Sequence, residues 1–297
     1  MVRLSSTAEV VRALASARDV EVLSYTLRPG PVLQGLEAAA RRGARVAVRL
    51  EGAPFADPRG ALVRVNWQIV ERLTRSGADA QLVHAGAATP RAPLHAKTLV
   101  ADGRTFLDDR NFGPDDFIVS DSRPADGRAL HAVLSGESGA PRPSFAIDKP
   151  TAIAREAALL RADGSGDAIV ESETFGGGPV ARALDALARR GGSPRLLVSS
   201  REAGPRTRER KTLERLAADG VRIRLCRDSE KFALAGERAW IGSANPSAAF
   251  GVPSTVDWGL CTRDRAIVAA ARERIESRWA ASRPLPARRI SDAIIST

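Results

Sequence analysis

The chain carries its own plan twice. Ser24-Tyr-Thr-Leu-Arg-Pro-Gly-Pro-Val-Leu returns as Ser172-Glu-Thr-Phe-Gly-Gly-Gly-Pro-Val-Ala, and Ala40-Arg-Arg-Gly returns as Ala188-Arg-Arg-Gly, both at an offset of 148. Farther on, Glu71-Arg-Leu aligns with Glu214-Arg-Leu, and Phe106-Leu aligns with Trp240-Ile at an offset of 134, so the second copy is shorter in one loop. At 297 residues the chain exceeds the ~100–200 residues usual for one domain, and the repeat resolves this into two related halves.

Within each copy, short β-branched runs alternate with longer stretches of helical period. In the first these are Val20–Leu27, Pro31–Arg42, Arg45–Leu50, Trp67–Ser76 and Ala80–His84. Gly43 and Gly77, with Gly191 and Gly220 as counterparts, stand where left-handed helix caps belong. Thr151–Leu160 mirrors an opening helix at Thr7–Ala17, and Asp264–Ala281 closes the chain with one apolar stripe of Ile267, Val268, Ala271 and Ile275. The alternation predicts an α/β fold of two pseudo-symmetric halves, each a mixed β-sheet flanked by helices. Residues 1–120 form the first half and 148–297 the second. The intervening 121–147, rich in Gly, Pro, Ser and Asp without sustained period, is read as the connection, and the Arg-Pro-Leu-Pro tail is expected to leave the domain.

Composition narrows the function classes. With 43% apolar and 27% charged residues and no apolar run near the ~18 residues of a membrane span, disorder and a transmembrane segment are disfavoured. No secretory h-region follows Met1, so the expected location is cytoplasmic. Cys226 and Cys261, 35 residues apart, make neither a disulfide scaffold nor a zinc ribbon and read as strand residues. No metal-ligand spacing is present, and no cofactor is expected. The net charge of +10 points to an anionic partner, but 41 of the 45 basic residues are Arg, a bias that gene base composition alone can produce. The basic stretch Arg201–Arg215 is mostly a solvated helix face on the same reading. Scarce residue types are more telling: lysine occurs at 97, 149, 211 and 231, asparagine at 66, 111 and 245, histidine at 84, 95 and 131.

Two lysines and two asparagines recur in register. Leu94-His95-Ala-Lys97 leads through Asp102 to Asp108-Asp109-Arg-Asn111, and Asp228-Ser229-Glu-Lys231 leads through Gly236 to Gly242-Ser243-Ala-Asn245, with Lys preceding Asn by 14 residues in both. Apolar letters after each lysine suggest a strand, a turn and a second strand that gather His, Lys and Asn at one sheet end. This pair resembles the signature of the phospholipase D superfamily, His-x-Lys-x4-Asp followed by Gly-Ser-x-Asn, and the duplication covers most of the chain.

The resemblance implies a phosphodiester-binding site between halves and a phosphohistidine mechanism. His95 becomes the nucleophile, and Lys97, Asn111, Lys231 and Asn245 become the clamp on the nonbridging oxygens. Ser243 belongs to the substrate-facing set, and Asp116 and Asp257 fall where the family has a histidine-orienting carboxylate. An imidazole that titrates near neutrality, with ammonium and amide donors converging on one phosphate, is a physically sound set for that chemistry. The match is incomplete: Ser229 stands for the second histidine, Gly236 for the second aspartate, and Asp108-Asp109 for the first Gly-Ser. General acid catalysis, typically worth ~10²–10⁴ in rate, therefore lacks its usual donor. Asp109 and Glu173 are the candidate replacements, with Asp109 expected to turn away and ionise readily beside two lysines. His131 is a spare, and Asp102 reads as structural. Two classes stay open: a phosphodiesterase acting on nucleic acid or a phospholipid headgroup, and a noncatalytic phosphate- or nucleic-acid-binding protein. Oligomeric state is not legible.

Overall fold

The computed structural model describes residues 1–55, 57, 59–86, 92–135, 137, 142–164, 166–200, 208–227, 229–247 and 254–286. In chain order the first half runs β1 (Val2–Ser5), α1 (Thr7–Ser16), β2 (Asp19–Ser24), α2 (Pro31–Arg41), β3 (Arg45–Glu51), α3 (Ala61–Arg75), β4 (Asp79–Val83), β5 (Lys97–Ala101), β6 (Arg104–Asp108), β7 (Ile118–Asp121) and α4 (Pro124–Ser135). The second runs β8 (Ala146–Asp148), α5 (Lys149–Arg161), β9 (Ile169–Ser172), α6 (Pro179–Arg189), β10 (Arg195–Ser199), α7 (Arg208–Ala218), β11 (Arg222–Cys226), β12 (Phe232–Ala235), β13 (Arg238–Gly242), β14 (Val256–Thr262), α8 (Arg265–Ala281) and the two-residue β15 (Arg283–Pro284).

Strand order shows the duplication directly. The first sheet is β1-β7-β6-β5-β2-β3-β4 and the second is β8-β14-β13-β12-β9-β10-β11 with β15 added at its edge. In each, three parallel strands adjoin an antiparallel run. The helices repeat too. α2 and α6 both open on proline after glycine, where a missing N–H costs no helical bond. Gly43 and Gly191 follow them with φ of 91° and 83°, and Gly77 and Gly220 follow α3 and α7 with φ of 95° and 99°, a region that disfavours a Cβ.

The outer faces of the sheets pack under α1–α3 and α5–α7 in two separate apolar clusters. Their other faces contribute to a third cluster that mixes the halves, with Leu107 and Val119 of the first beside Phe232, Ile241 and Trp258 of the second. Across this seam the rings of Phe117 and Phe232 meet edge-on at 4.9 Å, a contact worth ~0.5–1.5 kcal/mol beyond burial.

Three local expectations change. α3 begins at Ala61, earlier than the period at Trp67 suggests, because the Asp57 carboxylate accepts from the backbone N–H groups of Ala61, Leu62 and Val63 at 2.7–3.1 Å and caps the helix. Segment 121–147 carries α4, whose Asp126 accepts from the Ser144 backbone and hydroxyl at 2.8 Å; residues 136 and 138–141 of it lie outside the described residues. The tail stays on the fold: Arg283 and Pro284 pair with Leu225 and Arg224 of β11, and Leu285 packs on the second-half core. Cys226 and Cys261 lie in β11 and β14. Of the stretch Arg201–Arg215, residues 201–207 lie outside the described residues, and the rest opens α7. No helix among the described residues is long and apolar enough to cross a membrane.

Candidate active site between the halves

The sheets place their chemistry at one pair of ends. Register pairs Ser24, the last residue of β2, with Lys97, the first of β5, and pairs Glu171 of β9 with Phe232 of β12, so the segments after β2 and β9 open where β5 and β12 begin. Between these ends lies a cleft of about 530 Å³ lined by residues of both halves, among them Tyr25, Phe55, His95, Lys97, Arg110, Asn111, Glu173, Ser229, Lys231 and Asn245.

His95 is positioned by the opposite half. Leu94 bridges to Val256, the His95 backbone N–H donates to the Val256 carbonyl at 2.8 Å, and this sets the imidazole beside Asp257 of β14 with Nδ1 2.8 Å from the carboxylate. Within its own half, the wholly buried Glu51 accepts from the Leu94 N–H at 2.7 Å, while Asn66 Nδ2 donates to the carbonyls of Tyr25 and Glu51. Tyr25 and Phe55 flank the imidazole with centroids at 5.1 and 5.3 Å. Burial raises the Asp257 carboxyl, but His95, Lys97 and the Ser243 hydroxyl outweigh it and hold the group well below the usual carboxylate range. An ionised Asp257 accepts, so Nδ1 carries the proton and Nε2 its lone pair. Burial, then Lys97, push the His95 pKa down against the pull of Asp257, which favours the neutral ring.

Lys97 and Lys231 are almost wholly buried. Lys97 Nζ donates to the His95 carbonyl at 2.6 Å, and burial followed by repulsion from Lys231 brings its pKa down to about 7. Lys231 Nζ lies 3.4 Å from Glu173 and 3.5 Å from the Asp109 carbonyl. Asn245 has its carbonyl end fixed by the Ser172 hydroxyl at 3.1 Å and the Thr174 N–H at 3.3 Å, which leaves its amino group to the cleft. Asn111 reaches the same lining from the end of the β6 turn.

The remaining site candidates sit elsewhere or act differently. Ser243 is fully buried and donates to Asp257 at 2.6 Å, so it supports the carboxylate from behind and does not face the cleft. Asp257 likewise touches His95 and not the opening, with Thr255 as a further hydroxyl donor. Asp116 orients no histidine: it is ion-paired with Arg110 Nε at 2.9 Å and accepts from the N–H groups of Asn111 and Gly113 at 3.0 and 2.6 Å. Asp109 does turn away, accepting from the Phe117 N–H at 3.0 Å, but its pKa rises to about 7 where the lysines were expected to lower it, because burial and then Glu230 dominate. Glu173 reaches the cleft, yet Lys231 pulls its pKa down to about 2, which leaves it no proton to give at neutral pH. His131 bonds Glu21 in a separate cavity, and Asp102 accepts from the Arg18 and Asp19 N–H groups as a turn residue. Asp228 lies outside the described residues.

Sequence reasoning missed Tyr25, Phe55, Arg28, Arg110 and Arg227 in the lining. The aromatic pair carries no motif, and three arginines among 41 give no scarcity signal.

No protein-family model matches the chain. No curated protein sequence matches it either. Solved structures do. A phosphatidylserine synthase from Haemophilus influenzae Rd KW20 superposes with a TM-score of 0.66 at 10% identity, covering 96% of this chain and 87% of that one. A polyphosphate kinase from Porphyromonas gingivalis superposes with a TM-score of 0.63 at 18% identity over 93% of this chain, which spans only 46% of the kinase. With two sheets of matching strand order meeting at a shared cleft, the chain shares the fold of these two solved structures.

Proposed function

We propose that the chain is a phosphoryl-transfer enzyme that cleaves a phosphodiester through a phosphohistidine on His95. The observation that carries this reading is the neutral imidazole fixed by an ionised carboxylate from the other half, Nδ1 to Asp257 at 2.8 Å, with two buried lysines and two asparagines around it. In the first step the Nε2 lone pair attacks phosphorus and the bond to the leaving oxygen breaks. Asp257 stabilises the positive charge that grows on the ring, while Lys97, Lys231, Asn111 and Asn245 hold the nonbridging oxygens as charge accumulates there. In the second step an acceptor oxygen attacks the phosphohistidine and the N–P bond returns its pair to Nε2. The kinase and the synthase that share the fold are, by name, enzymes of phosphate compounds, which supports the reading.

The test is turnover of bis(p-nitrophenyl) phosphate, whose leaving group departs unprotonated, with trapping of acid-labile phosphate on the protein. Wild type should turn over and label; His95→Ala should lose turnover by at least ~10³-fold and lose the label, while still unfolding in one cooperative transition at a somewhat lower temperature, since the buried Asp257 loses a partner. Unaltered turnover in His95→Ala would end the proposal. An unreactive wild type that binds oligonucleotides with steep salt dependence would transfer the case to a binding protein.

A further inference from the structure

The duplication allows the first half to be read against the second at the place where the acid is missing. β6 pairs Asp108 with Ile118 of β7, and β13 pairs Gly242 with Gly259 of β14. Asp116 and Asp257 each lie two residues before the paired position, so Asp116 is the first-half counterpart of Asp257. Asp257 holds His95 across the seam; by the same symmetry Asp116 would hold residue 229, which is a serine. Asp116 instead holds Arg110, at 2.9 Å from Nε, and Arg110 lines the cleft. Its Nη2 donates to the Asp115 carbonyl at 3.0 Å and lies 3.6 Å from Glu230.

A cation that cannot act as an acid thus takes the place of the protonating imidazole. A guanidinium keeps its proton in proteins, so it can stabilise a departing anion but not neutralise it. An alkoxide, whose conjugate acid like water holds its proton far above neutral pH, leaves badly on those terms, whereas a phosphate oxyanion, whose proton titrates at about 6, leaves well. The return step obeys the same limit: with no base opposite His95, an acceptor that arrives already ionised is favoured over a neutral hydroxyl. Arg227, beside Ser229 in the lining, adds a second guanidinium to this side.

Resting on the phosphohistidine step of that reading, and putting an anhydride in the place of its diester, we infer that the preferred substrates of this site are phosphoric anhydrides, with Arg110 receiving the leaving phosphate in the position of a second histidine. Nε2 of His95 bonds to phosphorus, the P–O–P bridge breaks with its electron pair on the departing phosphate, and that phosphate leaves as an anion against Arg110. An acceptor phosphate oxyanion then displaces Nε2 without giving up a proton. Where water accepts instead, its proton passes to the phosphate product.

The experiment compares three probes on the full chain: inorganic tripolyphosphate, a thymidine dinucleotide with an alkyl phosphodiester, and bis(p-nitrophenyl) phosphate. Wild type is expected to cleave tripolyphosphate at least ~10²-fold faster than the dinucleotide. Arg110→Gln should lower tripolyphosphate turnover ~10²–10³-fold, the cost of one oxyanion donor, and lower aryl-diester turnover at least tenfold less; Arg110→Lys should recover part of the loss. Aryl-diester turnover in each variant confirms folding. Equal rates on dinucleotide and tripolyphosphate, or an equal loss on both probes in Arg110→Gln, overturn the anhydride assignment while His95 labelling stands. A wild type inert to the aryl diester and unlabelled overturns both readings.

Discussion

At the scale of single residues, the site is tuned by what burial does to charge. Burial, then repulsion from Lys231, brings the Lys97 pKa down to about 7, and burial lowers that of His95. On the proposed mechanism the free protein needs His95 deprotonated and Lys97 protonated. kcat/KM should therefore fall on the acid side as His95 gains its proton, below the ordinary histidine range, and on the basic side as Lys97 loses its proton near pH 7. A bound phosphate opposes the Lys231 repulsion and favours charged Lys97, so the basic limb of kcat should lie above that of kcat/KM. A profile of kcat/KM flat from pH 6 to 9 would contradict this assignment. His95, both lysines and both asparagines were legible because their types are scarce and recur at one spacing. Arg110 was not, since its meaning depends on Asp116 facing it from six residues on across a turn. Asp109 misled for a related reason: a place expected beside two lysines of the site says nothing of how deeply a carboxyl is buried.

At the scale of elements, the strands and helices of both copies could be read from alternation and glycine caps, and the boundaries that shifted were those set by a single side chain. Asp57 extends α3 backwards through a cap that no periodicity contains. The tail is the plainer case. Arg-Pro-Leu-Pro reads as an exit, yet β15 covers the open edge of β11, the Leu285 N–H donates to Ile223 at 3.1 Å, and Arg210 Nη2 donates to the Pro286 carbonyl at 2.6 Å. Ending the chain after Ser282 removes these bonds and the apolar cover of Leu285, a loss of about 1–3 kcal/mol. Thermal denaturation should register it as a melting temperature lower by several degrees, with the phosphohistidine label still formed. An unshifted transition would mean that β15 contributes nothing to the edge it covers.

At the scale of the whole molecule, the two copies are not independent. Each sheet gives one face to its own helices and contributes from the other to the shared cluster, where Leu107, Val119, Phe232 and Trp258 are almost or wholly buried. The Trp258 indole also donates to the Asp108 carbonyl at 2.9 Å across the seam. Residues 1–135 expressed alone would expose this face, and should bind a hydrophobic dye and self-associate; a monomeric, dye-silent fragment with a cooperative transition would show the seam to be dispensable. The repeat announced that there are two halves, but not that they share a core, because an alternating strand marks a buried face without naming what buries it.

The loss of symmetry at the seam also gives the proposed reaction a direction. A cleft with equivalent imidazoles on both sides could accept a phosphate bridge either way round, and whichever ring lay in line would attack. Here one wall holds the His95 imidazole, the proposed nucleophile, braced by Asp257, and the other holds Ser229 and the Arg110–Asp116 pair. Only one orientation of an unsymmetrical substrate is then productive: the fragment retained on the protein is always the one facing His95, and the fragment released, like any acceptor that follows it, always passes the arginine wall. A chain-like substrate would be consumed from one polarity only, as a vectorial process imposed by the divergence of two copies that began alike.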